Sequence, residues 1–165
     1  ALLAAKIVGC KHTIAVDVHD SRLEFAKELG ATHVLNGRNV DVVAEVKKIT
    51  NGGSNYAVET TGVPQVVKQS LNALRPLGTC AIVGVTPEMT IDVHNDIMAE
   101  GKTMVGVIEG DSVPRVFIPE LVNYYKDGKF PFDRLVKFYE FEQINEAFED
   151  SKNGTTIKPI LKIAK

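Results

Sequence analysis

The feature that most constrains this chain is an alternation. Short apolar runs with turn residues at their ends take turns with stretches of helical spacing. Thr13-Ile14-Ala15-Val16, closed by Asp17, reads as a buried strand with an acid at its carboxyl end. Ser21-Arg22-Leu23-Glu24 has the S-x-x-E form of a capping box, and Leu23, Ala26, Lys27 and Leu29 follow it at helical spacing until Gly30. His33–Asn36 is a second strand. Val42, Val43, Val46 and Ile49 mark the next helix, which Asn51-Gly52-Gly53 breaks. Tyr56–Glu59, Thr79–Val85 and Met104–Ile108 are further strands, and Val63–Leu74 is a helix with Pro64 in its first turn. Beyond them, Asp111-Ser112-Val113-Pro114 caps a helix carrying Phe117, Leu121 and Tyr124. A last helix runs over Phe141–Asp150 and a last strand over Ile157–Ile163, while Phe130-Pro131-Phe132 is locally aromatic. Strands separated by helices of this length predict βαβ units, a parallel sheet and right-handed crossovers. The leading helix, Ala1–Val8, has no Ser, Thr, Asp or Asn before it. It reads as a helix entered part-way through.

A chain of 165 residues can bury a core without disulfides or metal. Its 19 Lys and Arg against 21 Asp and Glu leave a net charge of −2, which gives no electrostatic footprint for nucleic acid or an anionic membrane. No apolar stretch reaches the roughly 18 residues of a membrane span. The two separate cysteines, Cys10 and Cys80, fit a reducing compartment, so the expected location is cytoplasmic.

Asp17 carries the sharpest chemistry. An acid ending a parallel strand ahead of a helix is where a dinucleotide-binding unit holds the adenosine ribose. Its carboxylate accepts from both ribose hydroxyls, and its charge repels a 2′-phosphate, favouring NAD over NADP. The plainer role is a turn cap shared with His19 or Ser21. Arg22 could reach the same ribose or a phosphate, or simply be solvated. The G-x-G-x-x-G fingerprint that accompanies such an acid about 20 residues upstream is not in this sequence. Counting back from Asp17, its last glycine would be expected a few residues before Ala1, an expectation the uncapped leading helix favours over the reading that no such motif existed. His12, His19, His33 and His94 lack paired metal spacing, and neither cysteine belongs to a C-x-x-C. Glu59 has the position of a structural acceptor or an acid–base group. Glycines in Val83-Gly84-Val85 and Val107-Ile108-Glu109-Gly110 suit close approach of a planar ligand, or ordinary turns.

Taken in order, AAKIVGC, IAVDVHDSRLEFAKELGATHVLN, YAVETTGVPQVV, ALRPLGTCAIVGV, GVIEGDSVPRVFIPELVNYYKDGKFPFDRLV, FEQINEAF and IKPIL resemble the coenzyme half of the zinc-dependent medium-chain alcohol dehydrogenases. Within them the sequence is most similar to the bacterial aryl-alcohol (benzyl-alcohol) branch. The resemblance implies a Rossmann-type doubly wound α/β sheet. It assigns residues 1–109 to a shortened NAD-binding domain and 110–165 to a return segment that packs on a catalytic domain. It implies that Asp17 and Arg22 hold the adenosine ribose, and that Thr60 and Thr61 lie along the cofactor. Val83, Gly84 and Val85 would back the nicotinamide, the main-chain groups of Val107 and Glu109 would bind its carboxamide, and Lys158 would contact the phosphates. The implied reaction is reversible hydride transfer between an alcohol and NAD, with zinc supplied only by the N-terminal catalytic domain. The implied assembly is a homo-oligomer paired through strand 104–108.

In the doubly wound order the first strand lies mid-sheet and precedes the glycine loop. The strands at Ile14–Val16 and Tyr56–Glu59 would therefore flank a place one strand wide. The expectation is a piece of a longer enzyme that neither binds NAD tightly nor turns over alcohol alone. The alternatives are a zinc-free quinone-type reductase of the same superfamily, a non-catalytic dimerisation module, and, less well matched by the VGV and GVIEG segments, a nucleoside methyltransferase.

Overall fold

The computed structural model describes residues 1–163. Contacts divide the chain after Val113, and each unit is described by itself. The first unit runs α1 (Leu2–Ile7), β1 (Ile14–Asp17), α2 (Asp20–Glu28), β2 (His33–Asn36), α3 (Val42–Thr50), β3 (Ser54–Glu59), α4 (Pro64–Asn72), β4 (Leu74–Ile82) and β5 (Thr103–Gly106). All strand pairs are parallel. β1 pairs with β2, placing Asp17 beside Asn36, and a second sheet has the order β3-β4-β5. Helices linking successive parallel strands make this the Rossmann-type α/β fold. Among the described residues β1 and β3 each carry a ladder on one side only.

The core sits beneath α4. Val67 and Leu71 on that helix are fully buried, and Leu71 joins Leu74 and Cys80 against Ala57, Ile82, Ile91 and Met104. Side chains alternate across a strand, so Ala57 and Glu59 face this cluster while Tyr56 and Val58 are exposed on the other face. A smaller cluster of Val42, Val46 and Ala73 takes in Ile14 and Leu35, which seats α3 against β1 and β2. The Asp41 carboxylate caps α3 by accepting from Ala44 N at 3.1 Å. Below β1 and β2, Thr13 and Thr32 each accept the other's backbone amide through the side-chain hydroxyl, at 2.9 and 3.1 Å, fixing the register of the pair.

Three sequence expectations need correction. The Ser21–Glu24 capping box does not form: α2 starts at Asp20 with His19 at its N-cap, because Asp17 has already captured the incoming backbone. The strand expected over Thr79–Val85 is β4 at Leu74–Ile82. Its ladder ends early because Val83 N and Gly84 N both donate to the Glu59 carbonyl, at 2.9 and 3.2 Å. The strand expected over Met104–Ile108 is β5 at Thr103–Gly106. It is followed by a turn in which Glu109, Gly110 and Asp111 take φ values of 50°, 65° and 51°.

The second unit opens with α5 (Pro114–Lys126) and continues through β6 (Val136–Glu140), α6 (Ile144–Lys152) and β7 (Lys158–Lys162), with β6 parallel to β7. β6 has no counterpart in the sequence expectations, since the run following Phe132 lacks clean alternation. The helix expected over Phe141–Asp150 begins as a 3-10 turn at Phe141–Gln143, where Glu140 and Gln143 form a reciprocal capping box. Buried Tyr139 ties the three elements together. Its hydroxyl meets Asp150 Oδ2 at 2.6 Å and Thr156 Oγ1 at 2.7 Å.

Candidate functional site

The carboxyl ends of β1, β3, β4 and β5 carry the residues singled out in the first unit. This is the end of a parallel α/β sheet at which ligands bind. Two groups of contacts are built there.

The first surrounds Asp17. One carboxylate oxygen is committed to the backbone: Oδ1 accepts from Val18 N at 2.7 Å and His19 N at 3.0 Å. The turn-cap role and the ligand role are therefore divided between the two oxygens of one side chain. Oδ2 makes only a long ion pair, 3.8 Å from Arg22 Nη1. Arg22 Nε is buried and makes no hydrogen bond. Asn36, beside Asp17 on β2, is held by its own contacts to Asp20 Oδ1 at 2.6 Å and Arg38 N at 3.0 Å. A carboxylate oxygen held in place yet little used can accept from the hydroxyls of a sugar.

The second group joins the turns after β3 and β4. Thr60 and Thr61 are exposed, and Gly62 beneath them is buried with φ 69°. A Cβ on Gly84 would stand 2.2 Å from Gly62 N, and one on Gly62 would stand 2.2 Å from the Val85 carbonyl oxygen. The two backbones are in direct contact, and no residue but glycine fits between them. This leaves Val83 about half exposed and Val85 almost wholly so. Their apolar side chains stand at the strand ends, where a flat ring could lie on them. The buried Glu59 carboxylate lies behind the turn and accepts from Thr61 N, Thr61 Oγ1 and Gly62 N. Sequence reasoning left its role open. The signal was an acid at a strand end followed by Thr and Gly, the residues that wrap back onto it.

Val107 follows β5 and donates its N–H to Ile82 O at 2.9 Å, so that donor is already engaged. Glu109, two residues on, is exposed in the left-handed turn. Lys158 belongs to the second unit, exposed at the start of β7. Cys80, under the sheet, has its thiol pushed from the usual 9.0 up to about 11, first by burial and then by the charge of Glu59. Among the described residues no group of three or more His, Cys, Asp or Glu is placed to hold a metal ion. No described helix is long and apolar enough to cross a membrane.

Comparison with known proteins gives one consistent result. The family model for zinc-binding dehydrogenases matches residues 1–123. A geraniol dehydrogenase from Castellaniella defragrans is 37% identical over 98% of this chain and 44% of its own length. The alcohol dehydrogenase class-2 isozyme 2 of Oryctolagus cuniculus is 36% identical, with the same shares covered. Among solved structures, benzyl alcohol dehydrogenase from Acinetobacter calcoaceticus superposes with a TM-score of 0.96 at 55% identity, covering 99% of this chain and 46% of that one. A 2R,3R-butanediol dehydrogenase from Bacillus subtilis superposes with a TM-score of 0.86 at 29% identity. The chain spans about half the length of the relatives it matches.

Proposed function

The chain belongs to the zinc-binding dehydrogenase family, and from that premise we propose that it is the NAD-binding part of an alcohol dehydrogenase. The proposed reaction is reversible hydride transfer between an alcohol and the nicotinamide. The 55% identity to a benzyl alcohol dehydrogenase favours an aryl alcohol as substrate. When bound, NAD would supply the hydride acceptor or donor for the alcohol carbon, and zinc would supply a Lewis acid for its oxygen. In this proposal the zinc ligands belong to the part of the family's chain outside residues 1–165.

The residues of this chain bind and orient. Asp17 Oδ2 accepts from the adenosine ribose, and its charge opposes a 2′-phosphate. Arg22, whose Nη1 is 3.8 Å from Asp17 Oδ2, stands beside the same sugar. Thr60 and Thr61 line the cofactor's path, and Val83, Gly84 and Val85 give the nicotinamide a flat backing. Main-chain groups at Val107 and Glu109 take its carboxamide and so choose the ring face, and Lys158 neutralises phosphate charge. Residues 110–165 form the segment that returns to the catalytic domain, and the outer edge of β5 pairs with a second copy. Residues 1–165 alone neither hold NAD tightly nor turn over alcohol.

The observation that carries this reading is the divided Asp17 carboxylate, one oxygen fixed by the backbone and the other offered outward. The test is an Asp17→Ser substitution in the full-length polypeptide that contains this chain. NAD affinity is expected to fall about tenfold or more, as for a lost hydrogen bond to a charged group, while NADP gains relative to NAD. Unchanged affinity for both cofactors would defeat the assignment.

A further inference from the structure

Glu59 holds both turns of the second contact group. Its main-chain carbonyl receives Val83 N and Gly84 N from the turn after β4. Its carboxylate receives the turn after β3, with Oε1 taking Thr61 N at 2.7 Å and Thr61 Oγ1 at 2.5 Å, and Oε2 taking Gly62 N at 3.1 Å. Thr61 Oγ1 in turn accepts from Val63 N at 3.0 Å, and Val63 is the N-cap of α4. The side chain is only 2% exposed. A buried acid with both oxygens engaged by one short turn is a fixed template, since each lost bond leaves a donor or acceptor without water to replace it.

We propose that Glu59 is a positioning residue for the dinucleotide: its carboxylate sets the Thr60–Gly62 turn against Gly84, so the cofactor-facing surface is formed before the cofactor arrives. The argument is one of tolerance. Gly62 and Gly84 touch backbone to backbone, with room for no Cβ between them. A turn that close to its neighbour cannot drift by even a fraction of an ångström without moving Val85 or opening a gap. The bonds that prevent drift converge on Glu59. Ordering the turn in advance also spares the cofactor the entropy of ordering it on binding. The inference rests on the dinucleotide reading above and adds to it a residue that touches no ligand.

The experiment is Glu59→Gln in the full-length polypeptide, with amide hydrogen exchange and NAD titration on the same preparation. Glutamine keeps the shape, but its NH₂ faces a backbone N–H where the carboxylate accepted one. Exchange at Thr61 and Gly62 is expected to accelerate, and NAD affinity to fall about tenfold, the scale of one lost charged hydrogen bond. Should Glu59→Gln fail to fold, Thr61→Val on the exposed side of the same contact removes the hydroxyl's two bonds, the one it donates to Glu59 Oε1 and the one it accepts from Val63 N, and leaves the Thr61 and Gly62 amide bonds to Glu59 in place. It is expected to weaken NAD by about tenfold, the scale of a lost hydrogen bond to a charged group. Faster exchange with NAD affinity unchanged would make Glu59 a purely structural acid and overturn the proposal, as would exchange that does not change. A wild-type protein that binds no dinucleotide would remove the reading on which the proposal stands. The wild-type titration separates that failure from a failure of the Glu59 contacts.

Discussion

Cys80 and Glu59 share the buried face of adjacent strands, and the charge of Glu59 bears on the thiol. The thiol is fully buried, and its proton is held to about pH 11 by desolvation and then by the Glu59 charge, whereas Cys10 is exposed. Thiolate, not thiol, reacts with alkylating agents. Iodoacetamide at pH 8 is therefore expected to label Cys10 and spare Cys80 in the native protein, with peptide mass analysis as the readout; rapid labelling of both would contradict the burial. The same shift fixes a pH dependence. An unfolded chain gives up this proton near 9.0 and the native chain near 11, so stability from this group is complete below pH 9 and falls as pH rises to 11. The loss across that window is about 2 kcal/mol. Denaturant midpoints measured from pH 8 to pH 11 are expected to slope less steeply in Cys80→Ala than in the parent. Neither property was legible in the sequence, where Cys80 was only an isolated cysteine.

At the level of elements, the contact between the turns after β3 and β4 depends on glycine at both positions. Gly84→Ala puts a methyl group 2.2 Å from Gly62 N, a clash with backbone that no rotamer relieves. The expected cost is about 3 kcal/mol, the upper end for overpacking, together with weakened NAD binding. A urea titration and a cofactor titration of one variant would show both. In the second unit, β6 is joined to α6 and to the turn before β7 through Tyr139, Asp150, Lys137 and Thr156. The Tyr139 hydroxyl first, and then Lys137, hold the Asp150 carboxyl below its usual range. That stabilisation is present above the ordinary carboxylate pKa and is lost as pH falls through the lowered one. Asp150→Asn is thus expected to lower stability near neutrality and to flatten the acid limb, followed by Tyr139 absorbance. The sequence marked the ends of most helices and strands through glycine and proline. It misplaced the end of β4, because a carbonyl on the neighbouring strand, not a local residue, terminates that ladder.

For the whole molecule, the decisive quantity is how much of a dinucleotide these residues can hold. The structure offers an outward carboxylate oxygen at Asp17 and exposed apolar side chains at Val83 and Val85, but the sequence contains no G-x-G-x-x-G to place backbone donors around a pyrophosphate. Calorimetry on residues 1–165 alone is expected to show no micromolar NAD binding, while the full-length polypeptide binds; tight binding by the shorter chain would refute this. What the sequence determined by itself is the class of fold and the acid that closes β1. Strand and helix periods, and a charged residue closing an apolar run, are local patterns that survive without knowledge of contacts. Only the tertiary structure decided how Asp17 divides its two oxygens, that Gly62 meets Gly84, and that Glu59 holds both turns. The Gly62–Gly84 contact and the bonds of the Glu59 carbonyl to Val83 and Gly84 join residues far apart in the chain, a distance no spacing encodes. The carboxylate contacts of Asp17 and Glu59 lie within a few residues and depend on how the chain turns after each strand.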